Sequence, residues 1–276
     1  MSRPLHVFIL CHRGDQILTR ICVASVRFWS PDISIYLLKD DGVRPFSTKE
    51  IDERWRVSIL PAAGIKASGL MNKFRMFVCS LEGRALYIDS DIVFLGRVFD
   101  VLDTYTEDIL ISAEQMPDPG APQVSEWYYD WAKLKEFDPK FSYPSYCFNA
   151  GQFAWTLGKI NYSDFQSIVV SGRHLELTRP DIFHCGDQGA MNYVIQKKDQ
   201  DGNCTVGRAE FAKWINDPVA SNYELANLSA GNGYPVLLHW LVQNLLLRKD
   251  APVGHIALLR TVLLFPHSIS NYQTEF

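Results

Sequence analysis

The chain reads as a single α/β domain with a mixed, mainly parallel central sheet and helices on both faces. Two observations predict this. Short apolar runs (Leu5 to Cys11, Ile33 to Leu38, Val57 to Leu60, Ala85 to Ile88) alternate with segments whose apolar residues recur at helical spacing. The links between them are short, which asks for right-handed βαβ units and neighbouring parallel strands. A length of 276 residues suits one large domain or one domain with a small appendage.

Leu5 to Cys11 forms the first strand and runs into Cys11-His12-Arg13-Gly14-Asp15. Gln16 to Phe28 carries Ile17, Ile21, Val23, Ala24 and Phe28 close to helical spacing, with Asp15 placed to cap its start. Ile33 to Leu38 is the second strand, closed by the turn cluster Lys39-Asp40-Asp41-Gly42. Ser47 to Trp55 is helical, and Val57 to Leu60 is a third strand before Pro61. Leu70 to Leu81 is an amphipathic helix with Leu70, Phe74, Phe77, Val78 and Leu81 on one face, ended by Gly83. Lys73 lies off that face and is free to point into a site. No G-x-G-x-x-G follows the first strand, which argues against a dinucleotide cofactor, and a P-loop is absent as well.

The fourth strand leads into Tyr87-Ile88-Asp89-Ser90-Asp91-Ile92-Val93. Here an apolar run ends in two carboxylates and a second apolar run begins. Ionised carboxylates are costly to bury unpaired, so they belong at the strand's open end or against a cation. That end is where ligands bind in open α/β sheets. Paired oxygen donors suit a hard divalent ion such as Mg²⁺ or Mn²⁺ held together with substrate phosphates. Chance also supplies such triplets: Asp199-Gln200-Asp201-Gly202 is a second one, in a polar run that reads as a surface turn.

Val98 to Leu102 is a short helix and Ile109 to Ala113 another strand. From Glu114 to Tyr146 five prolines alternate with aromatic residues, among them Trp127, Tyr128, Tyr129, Trp131 and Phe141. Such an insert is either a wall of rings for a carbohydrate acceptor or a mini-core of its own. Cys147-Phe148-Asn149-Ala150-Gly151-Gln152-Phe153 is strand-like, and its small residues allow a ligand close to the backbone. Cys185-Gly186-Asp187-Gln188 opens a helix; Asp187 there either complements the helix dipole or, with Gln188, faces a sugar. His239 ends the run Tyr234 to Trp240, as a core residue or as a metal ligand.

Composition sets further limits. Hydrophobic residues make up 47% and charged residues 21%, ordinary for a protein with a buried core. A net charge of −4 offers no footprint for nucleic acid. Six scattered cysteines without a Cys-x-x-Cys pair indicate free thiols and a reducing, cytoplasmic compartment. No secretory leader is expected, nor any membrane-spanning helix. The tail from Leu245 to Phe265 reads as a helix closing the core, or as an interfacial helix giving peripheral contact with the inner face of a membrane.

Taken in order, four motifs resemble nucleotide-sugar glycosyltransferases of the GT-A fold, and are most similar to the family 8 transferases. That group contains bacterial lipopolysaccharide galactosyl- and glucosyltransferases and glycogenin. The motifs are the basic helix before Leu86-Tyr87-Ile88-Asp89-Ser90-Asp91, then Phe148-Asn149-Ala150-Gly151, then Asp187-Gln188 with Asn192, then His239. The resemblance implies a Rossmann-like fold and transfer of a hexose from a UDP-sugar to a glycan or glycolipid acceptor, with retention of configuration. It implies that Asp89, Asp91 and His239 hold Mn²⁺ or Mg²⁺ at the diphosphate, with Ser90 between the carboxylates. Cys11, His12 and Asp40 or Asp41 would then form the uridine site. Lys73 and Arg75 would meet phosphate or sugar, and Asn149, Ala150, Gly151, Asp187 and Gln188 the donor sugar. Gln188, Asp187 and Lys73 would be the residues closest to catalysis.

On this reading residues 1–113 are the nucleotide-sugar-binding half, 114–240 the acceptor- and sugar-binding half with the insert at 114–146, and 241–276 a helical tail. The sequence departs from the family after His239. Where a glycine and a phosphate-gripping lysine are usual, it has Trp240-Leu241-Val242-Gln243-Asn244, with Arg248 and Lys249 farther on. Two rival readings keep the fold: a nucleotidyltransferase, and an inactive sugar-nucleotide-binding module.

Overall fold

The structure is a computed structural model and describes residues 4–40, 45–61, 64–114, 117–172 and 174–239. In chain order it contains β1 (Leu5–Cys11), α1 (Gln16–Trp29), β2 (Ser34–Lys39), α2 (Lys49–Trp55), β3 (Ser58–Ile59), β4 (Arg84–Ile88) and β5 (Ile92–Phe94). There follow α3 (Val98–Leu102), β6 (Ile109–Glu114), α4 (Pro122–Trp127), α5 (Trp131–Phe137), β7 (Cys147–Thr156), β8 (Val169–Ser171) and β9 (Leu175–Leu177). The last are α6 (Asp187–Gln200), β10 (Val206–Arg208), β11 (Ala212–Trp214), α7 (Leu225–Ser229) and β12 (Leu237–His239).

Seven strands build the central sheet in the order β10-β6-β7-β4-β1-β2-β3. β1 pairs in parallel with β2 and β4, β2 with β3, and β10 with β6, while β7 runs antiparallel between β4 and β6. Successive residues of a strand point to opposite faces, and both faces here are covered. Phe8 and Leu10 join a core under α4, α5 and α6; Val7 and Ile9 join another under α1, α2 and α3. Burial on both sides is why β1 and β4 are nearly unbroken apolar runs.

A smaller sheet, β11-β12-β5, continues from the tip of β4. β12 runs antiparallel to β5 with His239 opposite Ile92, and parallel to β11 with Trp214 beside His239. A stretch from the far end of the chain is thereby set against the residues after Asp91.

Three expectations change. The segment expected as an α-helix from Leu70 to Leu81 is a 3₁₀ helix over Gly69–Val78. Three residues per turn bring side chains three apart into line. Phe74 and Phe77 accordingly both pack on Phe165, and the Arg75 guanidinium reaches Asn72 Oδ1 at 3.3 Å. Leu70, expected inside, is 45% exposed. Asp15 does occupy the residue before α1 but its side chain caps nothing, because a 3₁₀ turn over Arg13–Asp15 precedes the helix. Of the polar triplet at 199–201, Asp199 still belongs to α6, where it accepts from the Tyr146 hydroxyl; only Asp201 and Gly202 make the turn.

The aromatic insert is a mini-core and not a wall of open rings. Tyr128, Tyr129, Phe141 and Tyr146 are buried, and Trp127 alone of its aromatic residues is exposed. Phe141 meets Tyr193 of α6 at 5.1 Å between ring centroids, and Asp138 accepts from the Tyr193 hydroxyl at 2.8 Å and from Lys197 at 2.5 Å. Rings that find one another gain more from burial than rings left in water. All six cysteines are free thiols. Among the described residues no helix is long and apolar enough to cross a membrane. The tail 241–276 lies outside them, as does Asp41.

Candidate metal and sugar-nucleotide site

The site lies where β4 ends. β4 delivers Tyr87 and Ile88 into the core and Asp89 to the strand's tip, where its N–H donates to the Gly151 carbonyl of β7 at 2.8 Å. The turn Asp89-Ser90-Asp91 leads into β5; Ser90 is buried at 8% exposure. His239 arrives on β12, with its Nε2 3.3 Å from Asp91 Oδ1. One ligand atom from each of Asp89, Asp91 and His239 lies within 4.8 Å of the others, a set of two carboxylate oxygens and one imidazole nitrogen. This donor set fits a divalent cation such as Mn²⁺, since carboxylate and imidazole are its ordinary protein ligands.

Gly151 completes the cradle. A Cβ there would sit 2.7 Å from Asp89 Oδ2, 2.9 Å from His239 Cε1 and 2.6 Å from Asn149 Oδ1. Its backbone conformation tolerates a side chain, so the space alone requires glycine. Gly151→Ala is expected to keep the fold and to weaken Mn²⁺ binding by about tenfold or more, since neighbours that orient metal ligands matter on that scale. Calorimetric titration with MnCl₂ checks it, and unchanged affinity would remove Gly151 from the site.

A second layer of charge stands behind Asp89. Lys73, 2% exposed, places its Nζ 3.2 Å from Asp89 Oδ1, 2.8 Å from Asp187 Oδ2 and 3.3 Å from the Ala150 carbonyl. Burial works against the Lys73 charge, but Asp187 and Asp89 outweigh it and hold the ammonium protonated above its ordinary range. Burial also pushes the Asp187 carboxyl up, against the pull of Lys73. The Tyr87 hydroxyl donates to Asp89 Oδ1 from full burial, and burial with the Asp89 charge raises it well above the usual phenol range. Asp15 faces the same region: burial raises it, and the charges of Asp91 and Asp89 add to that rise.

The end of β1 forms a separate group. His12 Nδ1 lies 3.0 Å from Asp40 Oδ2, which also accepts the Gly69 N–H at 2.9 Å. Burial alone would raise Asp40; the hydrogen bonds from Gly69 and His12 outweigh it and hold the carboxyl below its ordinary value. Cys11 is buried and accepts from the Thr19 hydroxyl at 3.3 Å; burial pushes its thiol up to about 11. Arg75 lies beside this group: its guanidinium donates to the carbonyls of Lys39 at 3.0 Å and Leu60 at 2.6 Å. It ties the 3₁₀ segment to β2 and to the residue after β3.

Asn149 spends its Oδ1 on the Gly151 N–H at 2.6 Å. Asn192 is fully buried and grips both the N–H and the carbonyl of Phe148, at 3.0 and 2.8 Å, anchoring α6 to β7. The turn before α6 is latched to α4. The carbonyls of Glu126, Trp127 and Tyr128 accept from Cys185 Sγ at 3.3 Å, Gln188 Nε2 at 2.9 Å and the His184 N–H at 2.9 Å. Gln188 therefore faces the insert, while Asp187 turns inward to Lys73.

Sequence reasoning passed over Tyr87, Gln152, Trp214 and Asp15. Tyr87 and Gln152 carried a signal, being polar groups inside otherwise apolar strands. Trp214 carried none, because its place depends on the pairing of β11 with β12.

These features define a class: the chain has the GT-A glycosyltransferase fold. No family model matches the sequence, and no curated protein matches it. Solved structures do. The galactosyltransferase LgtC, crystallised with donor and acceptor sugar analogues, superposes with a TM-score of 0.60 at 13% identity over 95% of each chain. The glycosyltransferase GlyE of Streptococcus pneumoniae TIGR4 gives 0.56 at 13% identity, covering 100% of this chain and 66% of that one. The bifunctional glycosyltransferase WbbM gives 0.54 at 14% identity, covering 87% of this chain and 46% of that one.

Proposed function

We propose that this protein is a metal-dependent hexosyltransferase of the family 8 type, moving a sugar from a UDP-sugar to a glycan or glycolipid acceptor of the lipopolysaccharide kind. The observation that carries it is the meeting of Asp89, Asp91 and His239, from segments far apart in sequence, within 4.8 Å at the open end of β4. A fold shared with LgtC, whose structure holds donor and acceptor sugar analogues, supports the reading.

On this reading Cys11, His12 and Asp40 receive the uridine, and the three ligands hold Mn²⁺ or Mg²⁺ beside the diphosphate. A cation bound there supplies positive charge where the leaving oxygen becomes negative. Lys73, kept charged by Asp187 and Asp89, adds a fixed cation close by. Asn149, Gly151 and Asp187 border the donor sugar, whose anomeric carbon becomes oxocarbenium-like. Asp187 is buried, tied to Lys73 and therefore poorly placed as a nucleophile; Gln188 is a weak one by chemistry. Taken together with the retention that the family resemblance implies, this leaves attack by the acceptor on the face the nucleotide leaves. A covalent sugar trapped on Asp187 would refute that step. Six free thiols support a cytoplasmic setting.

The test is a panel of UDP-sugars with Mn²⁺, assayed for free UDP. Slow hydrolysis of one donor is expected, abolished by EDTA and restored by Mn²⁺. Pyrophosphate release from UTP and a sugar phosphate would assign a nucleotidyltransferase instead, and binding without turnover an inactive module.

A further inference from the structure

We propose that Gln152 is a positioning residue that fixes His239 as an Nε2 metal ligand. Gln152 is the residue after Gly151 on β7, paired across the ladder with Ile88, the residue before Asp89. It is 3% exposed, on a strand whose neighbours Ala150, Phe153 and Ala154 are apolar. A buried amide in such surroundings costs free energy unless its polar atoms are bonded. Its Oε1 lies 3.0 Å from His239 Nδ1.

An imidazole has two nitrogens, and a neutral ring protonates only one. An acceptor on Nδ1 draws the proton there and leaves the lone pair on Nε2, the nitrogen on the Asp91 side at 3.3 Å, where a bound cation would separate it from the carboxylate. The ring is also held in plane. Trp214 stacks on it with centroids 4.3 Å apart and 14° between the planes, a pair set by the register of β11 and β12. Rotation of the imidazole would break both contacts. Outer partners of this kind orient metal-bound histidines and raise their basicity. In sequence Gln152 is a polar residue inside an apolar strand; the charge-free acceptor it gives His239 is visible only in the fold.

This inference rests on the metal reading of Asp89, Asp91 and His239, and its test has an arm that does not. In metal-free Asp91→Ala protein, which has no Asp91 carboxylate to compete for the proton at Nε2, ¹⁵N shifts of His239 report which nitrogen carries the proton. In that background the ring is expected in the Nδ1–H form with Gln152 in place, likewise with Gln152→Glu, and to lose that preference with Gln152→Leu. In the second arm, Mn²⁺ affinity without nucleotide is read from the EPR signal of free Mn²⁺. Gln152→Leu is expected to bind about 10- to 100-fold more weakly, and Gln152→Glu, which keeps an acceptor, to stay within about threefold of wild type. Circular dichroism confirms that both variants fold. An unchanged His239 tautomer in Gln152→Leu overturns the proposal, as does equal loss of affinity in both variants. Absence of Mn²⁺ binding by the wild type would overturn the metal reading instead, while the tautomer arm still decides the role of Gln152.

Discussion

Alanine in place of Asp91 is expected to lower metal-dependent release of UDP from a UDP-sugar by about a thousandfold or more, with little change in thermal stability. Asp91 sits in the turn after β4, its side chain 20% exposed, with His239 as its neighbour. Removing it deletes one proposed metal ligand without uncovering a core, so the stability change should stay within about 1 kcal/mol. On the proposed function the catalytic loss is larger, because the charge opposite the leaving diphosphate would go with it. About 4 kcal/mol of lost transition-state stabilisation corresponds to about 10³ in rate. Asp89 is a less clean choice, since Lys73 and Tyr87 would lose a partner with it. Steady-state assay of UDP release with saturating Mn²⁺, beside a melting curve, checks both halves. Activity within tenfold of wild type would place the metal elsewhere.

Methionine in place of Lys73 is expected to cost about 3–5 kcal/mol of stability, the penalty of breaking a buried ion pair from one side. Methionine matches the lysine stem, so packing contributes little. What remains is Asp187, 2% exposed and deprived of its cation, with Asp89 close by. Burial already raises the Asp187 carboxyl, and loss of Lys73 raises it further. The sign of the pH dependence follows. A carboxyl whose folded pKa exceeds its unfolded value of about 3.8 favours the folded state below that value. That advantage is lost as pH rises through the folded pKa. The urea midpoint of Lys73→Met should therefore fall from acid towards neutral pH more steeply than that of wild type. The double variant Lys73→Met/Asp187→Asn removes the buried charge and should be the more stable of the two at pH 7. A double variant less stable than Lys73→Met would show that Asp187 does not depend on Lys73.

The strands of the main sheet were legible because burial on both faces demands apolar runs. β1 has the bounds its sequence suggests, and β4 extends the predicted strand by one residue, Arg84. The 69–78 segment was harder, since helical periods of 3.0 and 3.6 place Phe74 and Phe77 on much the same side. The insert was undecided because an aromatic residue looks the same in sequence whether it meets a sugar or another ring. Its outcome depended on Phe183 and Tyr193, far along the chain, being there to pack against it. β8 to β11 are three-residue strands, too short for any period to register.

By itself the sequence determined the α/β class, the parallel half of the sheet and the delivery of two carboxylates to a strand tip, because each follows from local hydrophobic pattern and the cost of burying charge. Only the tertiary structure decided which groups those carboxylates would meet. Lys73, Gln152, Asp187 and His239 come to them from four other segments, through the antiparallel entry of β7 and the pairing of β12 with β5. Such encounters leave no local trace, since their free energy arises between residues 16 to 150 positions apart in the chain. A histidine after three apolar residues reads alike in a core and beside a carboxylate; the pairing of its strand with β5 sets His239 beside Asp91.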